Sequence, residues 1–357
     1  MKKRLLAALL SGCIVLSGCA SMLERDYVSA TPHTSTTTDE GNSSVLRAEN
    51  YQELVNSLIY FISTGSEDGV VRLYMDAGLV DESLRTARLE VLQEDPLAAY
   101  AVENITFSFD PLMAYTEATA DITYRRTQQQ MSSIVTANGI YAVRNELSSA
   151  LARFAPECVL RINYFEQSED YVRDLIQQAY YTTPATALEY PQAEVHIYPE
   201  TGRQHIVEVL FQYETDTALL AERSALLVQS VRRLCGAMTL SGTPLKDLTA
   251  AAQTVLSQGG LDQGGGSTPY DALLGGGADS EGLALAMALV CEELGLSCRV
   301  ARGLLDGETH CWNVVSTGDG WRHMDLSRQS TQNDFFTDEE WGAQGYLWIE
   351  TLLPACK

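Results

Sequence analysis

Lysine is almost missing from this chain of 357 residues: only Lys2, Lys3, Lys246 and Lys357 occur. In all, 24 Lys and Arg stand against 47 Asp and Glu, a formal net charge of −23. That balance excludes nucleic acid as a partner, because phosphate binding needs a basic surface. It also excludes electrostatic docking on anionic lipid. No apolar stretch reaches membrane-spanning length, the run near the N-terminus included. No CxxC pair and no histidine cluster offers a zinc site. The glycines at 259–260, 264–266 and 275–277 lack the strand–GxxxxGK–helix setting of a phosphate cradle and read as loops. No cofactor and no metal are expected. What is present is 45% hydrophobic residues, enough for real cores in two domains.

Two of the four lysines stand at the N-terminus. Lys2, Lys3 and Arg4 precede the apolar stretch Leu5–Leu16, and Leu16-Ser17-Gly18-Cys19 follows. A stretch of about a dozen residues suits a signal peptide, not a span. The tetrad resembles the bacterial lipobox, which implies lipidation at Cys19. An earlier copy ending at Cys13 leaves too short an apolar region in front of it. Residues 1–18 are thus expected to be a lipoprotein signal peptide and 19–45 a flexible, Ser/Thr-rich tether. The expected location is extracytoplasmic, lipid-anchored to the bacterial cell membrane, with the anchor as the only membrane contact. The six cysteines beyond Cys19 are irregularly spaced, and buried free thiols are expected.

Residues 46–240 read as one α+β domain built by duplication. Val70-Val71-Arg72-Leu73 is similar to Val159-Leu160-Arg161-Ile162, and Asp81 and Tyr124 recur at the same offset of 89 as Asp170 and Tyr213. After a helix at 50–63, the first copy reads as strand 70–75, helix 81–102 interrupted near Pro96, strands 104–110 and 118–126, and helix 128–154. The second reads as strand 158–165, helix 168–188, strands 194–199 and 204–214, and helix 216–238. The expectation is two βαββα units. No chemistry is expected there: Arg125-Arg126 and Arg232-Arg233 read as solvated faces, and His196 and His205 as surface histidines.

Residues 241–357 carry 16 acids and 6 bases, more acidic per residue than the domain before them. Ser280–Leu294 is apolar on every side from Leu283 to Val290, so it reads as a buried helix capped by Gly295. Strands at 296–302, 309–316 and 321–326 follow, the last two joined through Thr317-Gly318-Asp319-Gly320. A four-residue loop in that register sets Trp312 opposite Asp325. His310 and Asp325 then become diagonal neighbours on one face, about 5–8 Å apart at Cβ. Three stretches, Thr268–Leu274 with Gly282–Leu294, Gly307-Glu308-Thr309-His310-Cys311-Trp312-Asn313, and Trp321-Arg322-His323-Met324-Asp325, resemble the bacterial transglutaminase-like superfamily. The resemblance covers about 244–356 and implies a papain-like fold with His310 and Asp325 as two members of a catalytic triad. It implies scaffold roles for Trp321 and His323, and a cleft lined by Trp312 and Tyr270.

The family's cysteine nucleophile sits at the start of the buried helix, where this chain has Ser280 between Asp279 and Glu281. Cys291 is too far along the helix, roughly 16 Å, and Cys311 points away from the His310 face. Serine does not ionise there as a thiol would, and the two acids oppose a developing alkoxide. The expectation is a pseudoenzyme binding a neutral or cationic peptide or protein in the old cleft. The alternatives are an active Ser280–His310–Asp325 amide hydrolase or acyl transferase, and a scaffolding lipoprotein acting through 46–240.

Overall fold

The computed structural model describes residues 45–328 and 335–357. The expected signal peptide, the lipidation site Cys19 and nearly all of the tether lie outside them. Among the described residues no helix is long and apolar enough to cross a membrane. The chain divides into two compact units, one running to Gln93 and including Val102–Arg125, the other made of Glu94–Ala101 and Arg126–Lys357.

The first unit contains β1 (Val45–Ala48), α1 (Tyr51–Ser63), β2 (Asp68–Leu73) and α2 (Val80–Glu94). Asn50 caps α1 by accepting the N–H of Glu53, and Leu54, Leu58, Phe61 and Ile62 bury one face. Each such side chain contributes about 1.5–3 kcal/mol on burial. The interruption expected near Pro96 is real: α2 stops at Glu94, and α3 (Pro96–Ala101), which belongs to the second unit, begins on the proline, where no N–H is needed. β3 (Val102–Pro111) and β4 (Thr116–Tyr124) complete a sheet of order β1-β2-β4-β3, with β1 and β2 parallel and the rest antiparallel.

The second unit departs from the expected single helix over 128–154. The chain forms α4 (Gln128–Ser132), β5 (Val135–Thr136) and α5 (Ile140–Leu151) instead. The β-branched run Ile134-Val135-Thr136 favours a strand. Gly139 then adopts φ +87°, which ends any continuous helix. β6 (Glu157–Asn163), α6 (Glu169–Tyr181), β7 (Gln192–Tyr198) and β8 (Gln204–Gln212) follow, giving the order β5-β6-β8-β7 with β5 and β6 parallel. Each N-terminal sheet therefore opens on a short parallel strand that the βαββα pattern omits. Two surface expectations are also corrected. Arg126 pairs with Glu208, 1% exposed at its side chain, at 2.7 Å. His205 is buried, its ring nitrogens on the carbonyls of Pro199 and Gly202.

α7 (Thr217–Gly236), α8 (Pro244–Leu256) and β9 (Leu261–Gly266) lead into α9 (Ser280–Leu294). β9 takes up glycines that read as loop. One turn of π-helix over Asp271–Gly275 separates it from α9. The bounds of α9 match the buried helix expected, and Gly295 closes it at φ +69°. α9 is apolar all round because it serves two cores. Ala284, Leu285 and Ala288 pack into the core under β6 and β8. Leu283, Ala286, Met287 and Val290 pack against α7 and α8. A Cβ on Gly282 would stand 2.7 Å from Ala278 Cβ and 2.8 Å from the Thr268 carbonyl, so only glycine lets the first turn seat so closely.

β10 (Cys298–Leu305) and β11 (Glu308–Ser316) join through Asp306-Gly307, both at positive φ (53° and 89°), the geometry of a tight hairpin turn. β12 (Trp321–Met324), α10 (Asp338–Gly342) and β13 (Tyr346–Leu347) finish the unit, and the sheet order is β12-β11-β10-β13. The β11–β12 ladder runs from Ser316 opposite Trp321 to Asn313 opposite Met324. Asn313 Nδ2 donates to the Ala284 carbonyl, which fixes α9 against this sheet. The six cysteines among the described residues are free; five are buried and Cys298 is half-buried.

Candidate active site

Three elements deliver the polar side chains. The ladder of β11 and β12 ends at Asn313 opposite Met324, and Asp325, the next residue, reaches the face of β11 that carries His310. His310 Nε2 lies 2.7 Å from Asp325 Oδ2. Ser327 donates its backbone N–H and its hydroxyl to Asp325 Oδ1, at 2.8 and 2.7 Å. Tyr346 donates its hydroxyl to Oδ2 at 2.7 Å. The Asp325 side chain is 1% exposed and that of His310 is 15% exposed. Burial pushes the Asp325 carboxyl up, but the donors from His310, Ser327 and Tyr346 outweigh it and hold it below its ordinary range. With Nε2 committed to Asp325, Nδ1 is the ring nitrogen left to exchange a proton.

Ser280 is the first residue of α9, and the cap is Asp279, which accepts the N–H groups of Glu281 and Gly282 at 2.9 and 3.0 Å. The serine is therefore not consumed as the helix cap. Its Oγ accepts the N–H of Cys311, the neighbour of His310, at 3.3 Å. Among the described residues no hydrogen bond joins Ser280 directly to His310. The two flanking acids each have hydrogen-bond partners of their own. Asp279 is turned onto the helix N–H groups. Glu281 is pushed by burial toward its neutral form and accepts the Tyr181 hydroxyl at 3.0 Å.

Trp312 is fully buried and braces the site from behind instead of lining an open cleft. Its ring stacks near His310, and its Nε1–H donates to His323 Nδ1 at 2.9 Å. Tyr270 is half-buried against the core beside α8 and α9. Trp341, Tyr346 and Trp348 close the aromatic cluster around Trp312.

A second His–Asp pair lies behind this cluster, and it carries a cysteine. His323 Nε2 is 2.9 Å from Asp338 Oδ1, the Cys356 N–H donates to Asp338 Oδ2 at 2.8 Å, and the ligand atoms of all three residues fall within 4.8 Å of one another. This corrects the expectation that the family's cysteine is simply replaced by Ser280, with no cysteine at hand to substitute. The pseudoenzyme, defined by a nucleophilic cysteine lost to serine, falls with it. No local pattern announces Cys356, whose position depends on the return of the chain after α10. Two members of the cluster are buried, His323 at 0% exposed and Cys356 at 1%, while the Asp338 side chain is 35% exposed. Burial, with Asp338 nearby, pushes the Cys356 thiol up to about 12. Burial also lowers the His323 pKa despite Asp338. Because the indole N–H can only donate, His323 Nδ1 is the acceptor and its proton sits on Nε2, facing Asp338. A metal at Nε2 would have to displace that proton, so the donor set does not fit an ion as it stands.

Residues 235–326 match the family model of the transglutaminase-like superfamily. No curated protein matches the chain. Among solved structures, one described as a TGase is 13% identical, with a TM-score of 0.28 over 60% of this chain and 62% of that one. A candidate cysteine protease from Cytophaga hutchinsonii is 10% identical, with a TM-score of 0.27 over 44% of this chain and 65% of that one. The chain thus spans under two thirds of the length of either. The C-terminal part of this α+β chain, carrying α9, His310 and Asp325, is a transglutaminase-like domain.

Proposed function

We propose that the protein is an active amide hydrolase or acyl transferase with Ser280, His310 and Asp325 as its reacting group. The observation that carries this is the His310–Asp325 pair at 2.7 Å, with Ser280 held on the adjoining N–H at the positive end of α9. Asp325 orients the imidazole and stabilises its charged form. His310 Nδ1 takes the Ser280 proton as Oγ attacks a carbonyl, then returns it to the leaving amine. The Cys311 N–H and the helix dipole stabilise negative charge at that point. Water then releases the acyl group as acid, or an amine takes it in transfer.

The substrate in this reading is a peptide or protein, neutral or cationic at the reacting segment, since the chain is strongly acidic. The protein works outside the cytoplasm on a lipid anchor at Cys19. The two N-terminal sheets support a duplication of one βαβαββ unit, because β2 starts at Asp68 and β6 at Glu157, 89 residues on, with the same strand order.

Labelling by a fluorophosphonate tests the reading. Wild type is expected to label and Ser280→Ala to lose the label, while Cys356→Ala keeps it. The Cys356–His323–Asp338 cluster favours a second reading, in which the thiol reacts. In that case Cys356→Ala abolishes turnover and Ser280→Ala does not.

A further inference from the structure

β10 has a free edge. It pairs with β11 along its whole length, but with β13 only at Leu304 and Leu305. The Ser316 N–H donates to the Ser297 carbonyl, which sets the odd-numbered residues in the hydrogen-bonded pairs with β11. The N–H and C=O groups of Cys298, Val300 and Arg302 therefore point the other way. Among the described residues no backbone group pairs with them.

That edge is the floor of a groove of about 880 Å³. Gln177 and Tyr181 of α6 stand on one side, and Trp348, Ile349 and Leu352 on the other. Ile349 is 65% exposed and Leu352 47%, an apolar wall facing solvent. Arg144, Arg299 and Arg302 also line the groove, against the acids Asp174 and Glu292. Among the described residues none of these arginines is in an ion pair. Arg302 donates to Gln177 Oε1 at 3.3 Å, and Arg144 and Arg299 lie over the rings of Tyr141 and Trp321.

We propose that this edge is a docking site for an extended acidic segment of a partner protein, which adds a strand to the sheet. An extended backbone satisfies the three outward N–H and C=O pairs. Its alternate side chains then separate by face. Acids on one face meet Arg302 and Arg144, and apolar residues on the other meet Trp348 and Ile349. Tyr181 joins the groove to Glu281 beside Ser280, so docking is measured apart from turnover.

The test uses the full chain carrying Ser280→Ala, so that no turnover interferes, and fluorescein-labelled Glu-Val-Glu-Val-Glu-Val amide as the probe in fluorescence anisotropy. Saturable binding is expected, weakened by salt. N-methylation of one alternate set of amides should abolish it, and of the other set leave it. Arg302→Glu should weaken it at least tenfold with an unchanged melting temperature, and Ile349→Asp should weaken it independently. No saturable binding, equal binding of the Lys-Val-Lys-Val-Lys-Val probe, or indifference to both methylation patterns overturns the proposal. So does a concentration-dependent dimer that Arg302→Glu abolishes, which would assign the edge to a second copy of this chain.

Discussion

Tyr346 and His310 share one carboxylate oxygen: each hydrogen-bonds to Asp325 Oδ2 at 2.7 Å. The tyrosine arrives through the short pairing of β13 with β10, where Tyr346 stands opposite Leu305. Tyr346→Phe removes one donor from a carboxylate that is 1% exposed. A hydrogen bond to a charged group contributes about 1.5–3 kcal/mol. Hydrolytic kcat/KM should fall roughly tenfold or more in Tyr346→Phe, and the acid limb of the pH–rate profile should move up as the Asp325 pKa rises. Parallel pH profiles of wild type and variant check this; an unmoved acid limb contradicts it.

The same network links folding to pH. The Asp325 pKa is depressed in the folded protein. Its contribution to stability is therefore fully present above the ordinary unfolded carboxylate value, about 3.9, and is lost as pH falls through the lower folded value. Urea unfolding of wild type should show a loss of stability below about pH 4 whose Asp325 component is missing in Asp325→Asn. Equal slopes in the two proteins would exclude this role.

Much of this site was legible because local signals specify it. The four-residue loop after Ser316 sets the β11–β12 register, and that register alone brings His310 to Asp325. The unbroken apolar run and Gly295 bound α9. What was not legible depends on distant chain. Cys356 reaches His323 only through the return past α10. Arg126 meets Glu208 across 82 residues, and nothing in the Arg125-Arg126 pair distinguishes a buried partner from a solvated face. β5 was hidden because Gln128–Leu151 has good helix formers at both ends, and the short run Ile134-Val135-Thr136 with Gly139 at positive φ breaks them apart.

The Arg126–Glu208 pair gives a stability prediction. Glu208 is 1% exposed at its side chain and Arg126 is 26% exposed. Arg126→Met leaves the carboxylate buried without its partner, which should cost about 3–5 kcal/mol. Adding Glu208→Leu should recover a large part, because a buried pair replaced on both sides by apolar groups is often neutral. Denaturant unfolding of the single and double variants checks the order.

Gly303 is where the sheet admits β13. A Cβ there would lie 2.1 Å from the Leu347 carbonyl oxygen and 2.8 Å from Trp312 Cη2. The first contact is backbone and cannot rotate away. Gly303→Ala should therefore cost about 1–3 kcal/mol or more and loosen Tyr346 from Asp325. A lower unfolding midpoint together with the pH-profile shift of Tyr346→Phe would show both effects in one protein.

Cys356 separates the two readings of the chemistry. Its thiol is 1% exposed and pushed up to about 12. Against an ordinary cysteine near 8.5–9, that leaves about a thousandfold less thiolate at neutral pH. Iodoacetamide should therefore alkylate Cys356 in the native protein far more slowly than in denaturant, with a rate that rises with pH up to and beyond 10. A group that reacts as a nucleophile behaves otherwise: it labels fast near pH 7 and slows when its histidine is removed. Fast native alkylation of Cys356 that His323→Ala suppresses would move the reacting group from Ser280 to the buried cluster. Slow alkylation unchanged by His323→Ala would leave Cys356 as the packing residue that ties the C-terminus to Asp338.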